Sequence, residues 1–238
     1  MTITASTVTA TRGPADPTRN HVRAAGIFYL VTFAASIPAL ILIQPVLNDG
    51  YITGAGQDTR VLWGCLLDFV NVLAAIGCAV ALFPVLKRHN ESLALGYVTS
   101  RMLEAAVIMI GVVSLLAVVT LRQDLAGTPG ADPAALATTG QALVAVRDWT
   151  FLFGPGFMAA INALLLGTLL YRSRLVPRFI PAMGLIGAPL LFTANVLTVL
   201  GHNSQLSGLS AIATLPVAAW ELSIGVYMIV KGFRTTAV

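Results

Sequence analysis

Charged residues are scarce in this chain: Asp, Glu, Lys and Arg together make up 10% of its 238 residues. An ordinary soluble domain carries roughly 25%. Hydrophobic residues make up 57%, and the mean hydropathy is +0.84. This scarcity excludes a water-exposed surface over most of the chain. The apolar residues instead form six long continuous runs, separated by short polar segments.

Cysteine is also rare, with Cys65 and Cys78 only. Both lie in the second apolar run, where a helical rise of about 1.5 Å per residue would separate them by roughly 20 Å. That distance excludes a disulfide between them, and no spacing typical of a metal site is present. We therefore expect both cysteines to serve in packing, and we expect no metal and no cofactor.

Each of the six runs is long enough to cross a bilayer, which requires about 20 helical residues. Because the apolar residues are continuous and do not alternate with polar ones, helices are predicted and not barrel strands. The predicted fold is all-α, an integral membrane bundle of six transmembrane helices. The predicted spans are residues 24–46, 61–86, 93–121, 143–170, 179–200 and 208–230.

A single transmembrane domain is predicted over residues 21–234, with a tail on each side. Residues 1–20 are rich in Thr, Ala and Pro and lack apolar periodicity, which predicts a disordered cytoplasmic tail. Residues 235–238 form the second tail. The first segment lacks the charged start of a secretory signal, so we expect the first span itself to direct insertion into the membrane.

The basic residues between the runs are distributed unequally over the two sides of the membrane. Ten of the 14 Lys and Arg residues would lie on the side of the two termini, against Arg60 and Arg122 on the other. The positive-inside rule therefore places both termini in the cytoplasm. No basic groove interleaved with aromatic residues is present, so we expect the lipid bilayer as a partner and no nucleic acid.

The connections carry two notable signals. Asp132 followed by Pro133 is typical of a helix cap with a proline in the first turn, and it predicts an external helical stretch leading into the fourth span. Within that span, Gly154-Pro155-Gly156 predicts a broken or bent helix. The connection from Asn48 to Arg60 contains three glycines, which predicts a flexible external turn.

Ionisable residues inside the predicted spans are the main functional signal, because a charge at the bilayer centre costs from about 2.5 to over 10 kcal/mol. Arg101 and Glu104 are three residues apart and share a helix face. Glu221 lies near the middle of the sixth span. We expect a polar centre built from the second, third and sixth spans. The candidate ligand or proton site residues are Asp68, Asn71, Arg101, Glu104, Asp148 and Glu221.

Arg147 and Asp148 lie close to the predicted outer edge of the fourth span, where water reaches them. With these two included, the spans contain four acids and two arginines, a formal charge of −2. A dry interior would not hold that charge, so a proton, water or a bound cation must compensate it. The functional interpretation is a polar cavity. The alternative is that Arg101, Glu104 and a second carboxyl only hold helices together.

Four segments, taken in order, resemble the bacterial domain-of-unknown-function 4386 family over roughly residues 20 to 234. They are Arg23–Leu30, Ser100–Ala105, Leu170–Arg178, and Glu221 followed by Lys231-Gly232-Phe233. The resemblance implies a multi-pass protein in the plasma membrane of a bacterium. It implies no activity, ligand or catalytic residue. Arg101, Glu104 and Glu221 lie in the segments that carry the resemblance, which supports their choice as candidate site residues.

Three hypotheses for the function follow. The first is a small transporter or proton-coupled carrier, with a small molecule or a proton as ligand and with Asp68, Glu104 and Glu221 along its path. The second is an intramembrane enzyme acting on a lipid or isoprenoid, which requires two carboxyl groups to converge on one cavity. The third is a non-catalytic membrane partner subunit, which predicts a solid core without a pocket. Catalytic residues and the oligomeric state are not predicted.

Overall fold

The computed structural model describes residues 17–48, 50–54, 56–125, 128–130 and 132–234. Within these ranges the chain is helical and contains no strand. The two predicted tails at 1–16 and 235–238 lie outside the described residues. The helices are α1 (Pro17–Leu42), α2 (Asp58–Leu86), α3 (Glu91–Leu125), α4 (Pro133–Phe151), α5 (Ala159–Ser173), α6 (Phe179–Val199) and α7 (Gly208–Val230).

Six helices in the described part of the chain are long and apolar enough to cross a membrane. The fourth of them, Pro133–Ser173, combines α4 and α5 with a π-helical segment, Leu152–Met158, between them. The predicted all-α fold with six membrane-spanning helices is therefore confirmed. The structure itself does not place either end on a particular side of a membrane, so the cytoplasmic orientation stays a prediction.

One helix start differs from the prediction, and one predicted start is found. The first helix begins at Pro17, so residues 17–20, expected in the tail, belong to α1; a proline is well tolerated in a first helical turn because its missing amide has no partner there. The helix of the fourth span begins at Pro133, where the external helical stretch leading into that span was predicted to begin. The Asp132 carboxylate accepts a hydrogen bond from the Ala134 amide at 2.9 Å, which caps the helix that the Asp-Pro pair predicted.

The Gly154-Pro155-Gly156 sequence lies in the π-helical segment, so the fourth span widens at this point without breaking. Pro155 has no amide to donate, which removes one helical hydrogen bond and favours the wider turn. Both glycines face neighbouring helices. A Cβ atom at Gly156 would lie 3.1 Å from the Asn195 amide nitrogen of α6, and one at Gly154 would lie 3.3 Å from Ile108 of α3.

Sequential helices pack against each other, and α7 returns to pack against α1, so the bundle is closed. Two glycines bring α1 and α7 together: a Cβ atom at Gly26 would lie 2.8 Å from the backbone oxygen of Gly225. Gly184 of α6 packs against the indole ring of Trp220 in the same way. These small residues allow close helix contact, which is the main source of attraction between helices in lipid.

The ends of the described chain lie at the same end of the bundle. The Arg234 amide donates to the Leu175 carbonyl at 2.9 Å, and Gly232 lies near the side chain of Arg19. At the opposite end, two contacts hold the connection after α1 in place. Arg122 of α3 donates to the Gly54 carbonyl and forms an ion pair with Asp58. These bonds restrain a loop that its glycines predicted to be flexible.

Candidate functional site

Arg101 on α3 is the centre of a buried ion-pair cluster. Its guanidinium donates to Glu104 at 2.9 Å, one helical turn further along α3, and to Glu221 of α7, also at 2.9 Å. The Arg101 side chain is only 5% exposed. Because helix positions three residues apart share a face, the first contact is local, whereas the second joins two helices that are distant in sequence. A single guanidinium group thus forms ion pairs with two carboxylates.

Two tyrosines surround the same guanidinium. Tyr29 of α1 accepts a hydrogen bond from Arg101 at 3.0 Å, and its hydroxyl lies 3.1 Å from that of Tyr97, four residues before Arg101. The guanidinium carbon also lies 5.1 Å from the centre of the Tyr29 ring and 5.8 Å from that of Tyr97. These ring faces stabilise the buried cation further.

Asn162 on α5 completes the cluster from the fourth span. Its amide nitrogen donates to the Glu104 carboxylate at 2.7 Å, so Glu104 is held by Arg101 and Asn162 together. The amide oxygen of Asn162 is buried and has no hydrogen-bond partner among the described residues. The polar centre therefore includes α1 and the fourth span, which the predicted combination of second, third and sixth spans did not contain.

A cavity of about 250 Å³ opens beside this cluster. Arg101, Glu104 and Glu221 form one part of its lining, and Asp68 and Asn71 of α2 form another. Five of the six predicted site residues thus line one space. The hypothesis of a non-catalytic subunit predicted a solid core, whereas the described residues enclose a cavity.

The sixth predicted residue, Asp148, does not line this cavity, which corrects its grouping with the others. Its side chain is 51% exposed and faces a separate cleft that Asn48 and Tyr51 also line. Arg147 was expected to be wet at the outer edge, but its side chain is only 10% exposed and lines the cavity. The reason is packing: the guanidinium lies 4.5 Å from the centre of the Phe151 ring, one turn further along the helix.

The charges that line the cavity are three acids and two arginines, a formal balance of −1. The predicted balance of −2 covered all six ionisable residues of the spans, and Asp148, which does not line the cavity, accounts for the difference. One negative charge remains uncompensated when every group is ionised. In a site surrounded by apolar helices, that charge favours uptake of a proton or a cation.

Several site residues were not predicted from the sequence, and they differ in whether the sequence contains a signal for them. Tyr97 precedes Arg101 by four residues and shares its helix face, so the spacing could have identified it. Tyr29 offered no such signal, because its partner lies 72 residues away. No group of three or more His, Cys, Asp or Glu residues in the described ranges is arranged to hold a metal ion. Cys65 and Cys78 are both free and buried.

Together these features define a class: a multi-pass helical membrane protein with a charged cavity inside its bundle. The chain belongs to the family described as Domain of unknown function (DUF4386), whose model matches residues 24–232. The match covers nearly the whole chain and agrees with the resemblance seen in the sequence. Neither a curated protein nor a solved structure matches the chain.

Proposed function

We propose that this protein is a small proton-coupled carrier in the plasma membrane of a bacterium, with the cavity as its intramembrane site. The observation that supports this best is the cavity itself. Three carboxyl groups and two guanidinium groups from four spans line it, within helices long enough to cross a bilayer. Ionisable groups at this depth are costly and usually belong to a path for ions, protons or solutes.

Glu221 is the residue to which we assign proton exchange. Its ion pair with Arg101 engages one carboxylate oxygen, and its side chain is 17% exposed towards the cavity. Glu104 is 7% exposed and accepts from both Arg101 and Asn162. When Glu221 takes up a proton, Arg101 keeps Glu104 as its partner, so the charge of the cluster changes from −1 to zero. The same proton removes the surplus negative charge of the cavity.

A proton flux assay tests the proposal. Purified protein is reconstituted into liposomes that contain a pH-sensitive dye, and a potassium gradient with valinomycin drives protons inward. We expect acidification well above that of protein-free liposomes, and at least a tenfold lower rate for Glu221→Gln. The matched control is Glu91→Gln, which makes the same chemical change at an exposed residue outside the cavity and should keep the rate of the unmodified protein.

Two results would contradict the proposal. One is a rate equal to that of protein-free liposomes although the protein is monodisperse and incorporated. The other is a Glu221→Gln variant that moves protons as fast as the unmodified protein.

The enzyme hypothesis retains one supporting observation, since Glu104 and Glu221 converge on Arg101 as it requires. Incubation with radiolabelled isoprenyl and phospholipid substrates, followed by chromatography, would reveal an activity. An activity that Glu221→Gln abolishes, together with no proton flux, would favour the enzyme over the carrier.

A further inference from the structure

Asp68 differs from the other carboxylates of the cavity. Glu104 and Glu221 both form ion pairs with Arg101, whereas Asp68 forms neither a hydrogen bond nor an ion pair within the described part of the chain, and the charge that acts on it there is that of Arg147 across the cavity. Its position is set by the packing of α2 on α1. Gly64 lies against Ala39 and Ile43, so Asp68, one turn further along α2, is directed to the level of the cavity. A carboxylate that makes no hydrogen bond and no direct ion pair, half-buried in a membrane-spanning bundle, is stabilised by a positive ligand or a proton.

The positive groups of the cavity are already occupied. Arg101 donates to Glu104, Glu221 and Tyr29. Arg147 forms an ion pair with Asp148 at 3.3 Å, lies over the Phe151 ring and interacts electrostatically with Asp68 at longer range. An entering anion would therefore have to displace an existing carboxylate, and it would add to a balance that is already negative. The electrostatics favour a cation.

The remaining lining indicates what kind of cation fits. Thr32, Ser36, Asn71 and Thr150 add a few polar groups to the lining, but most other lining side chains are apolar. They are Phe33, Ile37, Leu40, Ile108, Val112, Leu115 and Phe151. A bare metal ion requires oxygen ligands on all sides, and this wall does not supply them. An organic cation with an apolar chain gains from burying that chain against it.

We infer that the cavity binds a small primary ammonium compound with a short apolar chain. The ammonium group pairs with Asp68, where its three N–H donors also reach the polar groups beside it. The chain lies along the apolar wall between α1 and α3. The volume of about 250 Å³ limits the ligand to a small molecule. This inference rests on the proposed function in one respect: it names the solute class that the carrier would move.

Isothermal titration calorimetry on the purified protein tests the inference with hexylammonium, hexan-1-ol, hexanoate and ethylammonium as probes. Hexylammonium should bind at least tenfold more tightly than hexan-1-ol, which lacks the charge, and than ethylammonium, which lacks most of the chain. Hexanoate should bind most weakly. Equal affinities for the three six-carbon probes would reveal only partition into the detergent micelle and would overturn the inference, as would tighter binding of hexanoate.

Variants locate the site. Asp68→Asn should lower the affinity for hexylammonium at least tenfold, and Asp68→Glu should retain it within a few-fold. Asp124→Asn, the same change at an exposed residue outside the cavity, should leave it unchanged. Unchanged binding by a folded Asp68→Asn variant would overturn the assignment. If Asp68→Asn does not fold, the probe series on the unmodified protein still decides whether the cavity binds an ammonium compound.

The failures of the two proposals are distinguishable. Hexylammonium binding without proton flux would contradict the carrier and keep the ammonium site. Proton flux without selective hexylammonium binding would contradict the ammonium site and keep the carrier.

Discussion

The guanidinium of Arg101 lies 2.9 Å from the carboxylate of Glu221, although the two residues are 120 positions apart in the chain. This contact joins α3 to α7. Arg101 also holds Glu104 at the same distance, so one cation compensates two acids. The stability of the bundle and the charge of its cavity therefore depend on the same side chain.

Loss of Arg101 should be much more harmful than loss of Glu221. Arg101→Met leaves two buried carboxylates without a cation, which should cost about 3–5 kcal/mol. Glu221→Gln leaves Arg101 and Glu104 as a balanced pair and should cost only about 1 kcal/mol, the value of one hydrogen bond. Unfolding in detergent, followed by circular dichroism, measures both changes. In a double-mutant cycle the second substitution should partly rescue the first.

Arg88→Met serves as the control for that experiment, because Arg88 is exposed at the end of the bundle and should tolerate the change. A similar loss of stability in Arg101→Met and Glu221→Gln would show that the cluster does not balance its charges in the way described.

The crossing of α1 and α7 should not tolerate even one added methyl group at Gly26. A Cβ atom there would lie 2.8 Å from the Gly225 backbone oxygen and 2.8 Å from the side chain of Ile229. Because a backbone oxygen cannot move aside cheaply, Gly26→Ala should cost about 1–3 kcal/mol. A Cβ atom at Gly208 would meet open space, so Gly208→Ala should stay within about 0.5 kcal/mol of the unmodified protein. Equal melting temperatures for the two variants would count against this close crossing.

Titration of Tyr51, in the connection after α1, should make the folded protein less stable as the pH becomes alkaline. Burial and a hydrogen bond of 2.7 Å donated to Asp58 both raise the pKa of Tyr51 above its usual value. Because the pKa of Tyr51 is higher in the folded protein, its hydroxyl group loses its proton at a lower pH in the unfolded chain than in the folded one. The stabilisation is therefore complete below the ordinary tyrosine pKa of about 10 and is lost as the pH rises through the folded value.

Tyr51→Phe removes this titration. Melting temperatures between pH 8 and 11 should fall less steeply in Tyr51→Phe than in the unmodified protein. Tyr171→Phe, which changes an exposed ring, should follow the unmodified protein. Parallel curves for Tyr51→Phe and the unmodified protein would exclude this contribution.

Membrane orientation can be tested with single cysteines at two exposed serines. Ser92 lies near Lys87 and Arg88 at the basic end of the bundle, and Ser204 lies in the connection between α6 and α7 at the other end. If the basic end faces the cytoplasm, a membrane-impermeant maleimide added to intact cells should label Ser204→Cys and not Ser92→Cys. The native cysteines are buried and should give little background. The reverse pattern would invert the topology.

Much of the fold could be predicted because the relevant signals are local. A continuous apolar run of sufficient length has few alternatives to a membrane-spanning helix. The pairing of Arg101 with Glu104 follows from helical spacing, and the cap at Asp132 follows from its neighbour Pro133. The start of the first helix was misplaced, because polar residues extend this helix beyond the apolar part that hydropathy detects.

The sequence by itself determined that the chain forms six apolar helices and carries rare ionisable groups within them. Only the tertiary structure decided which of these groups meet. Arg147 and Asp148 are adjacent, yet a rotation of about 100° per helical residue directs one into the cavity and the other out of it. Likewise, Tyr29 and Glu221 reach Arg101 from α1 and α7, two helices that approach each other closely at the glycines 26 and 225. Such contacts depend on how helices pack, and no local pattern encodes them.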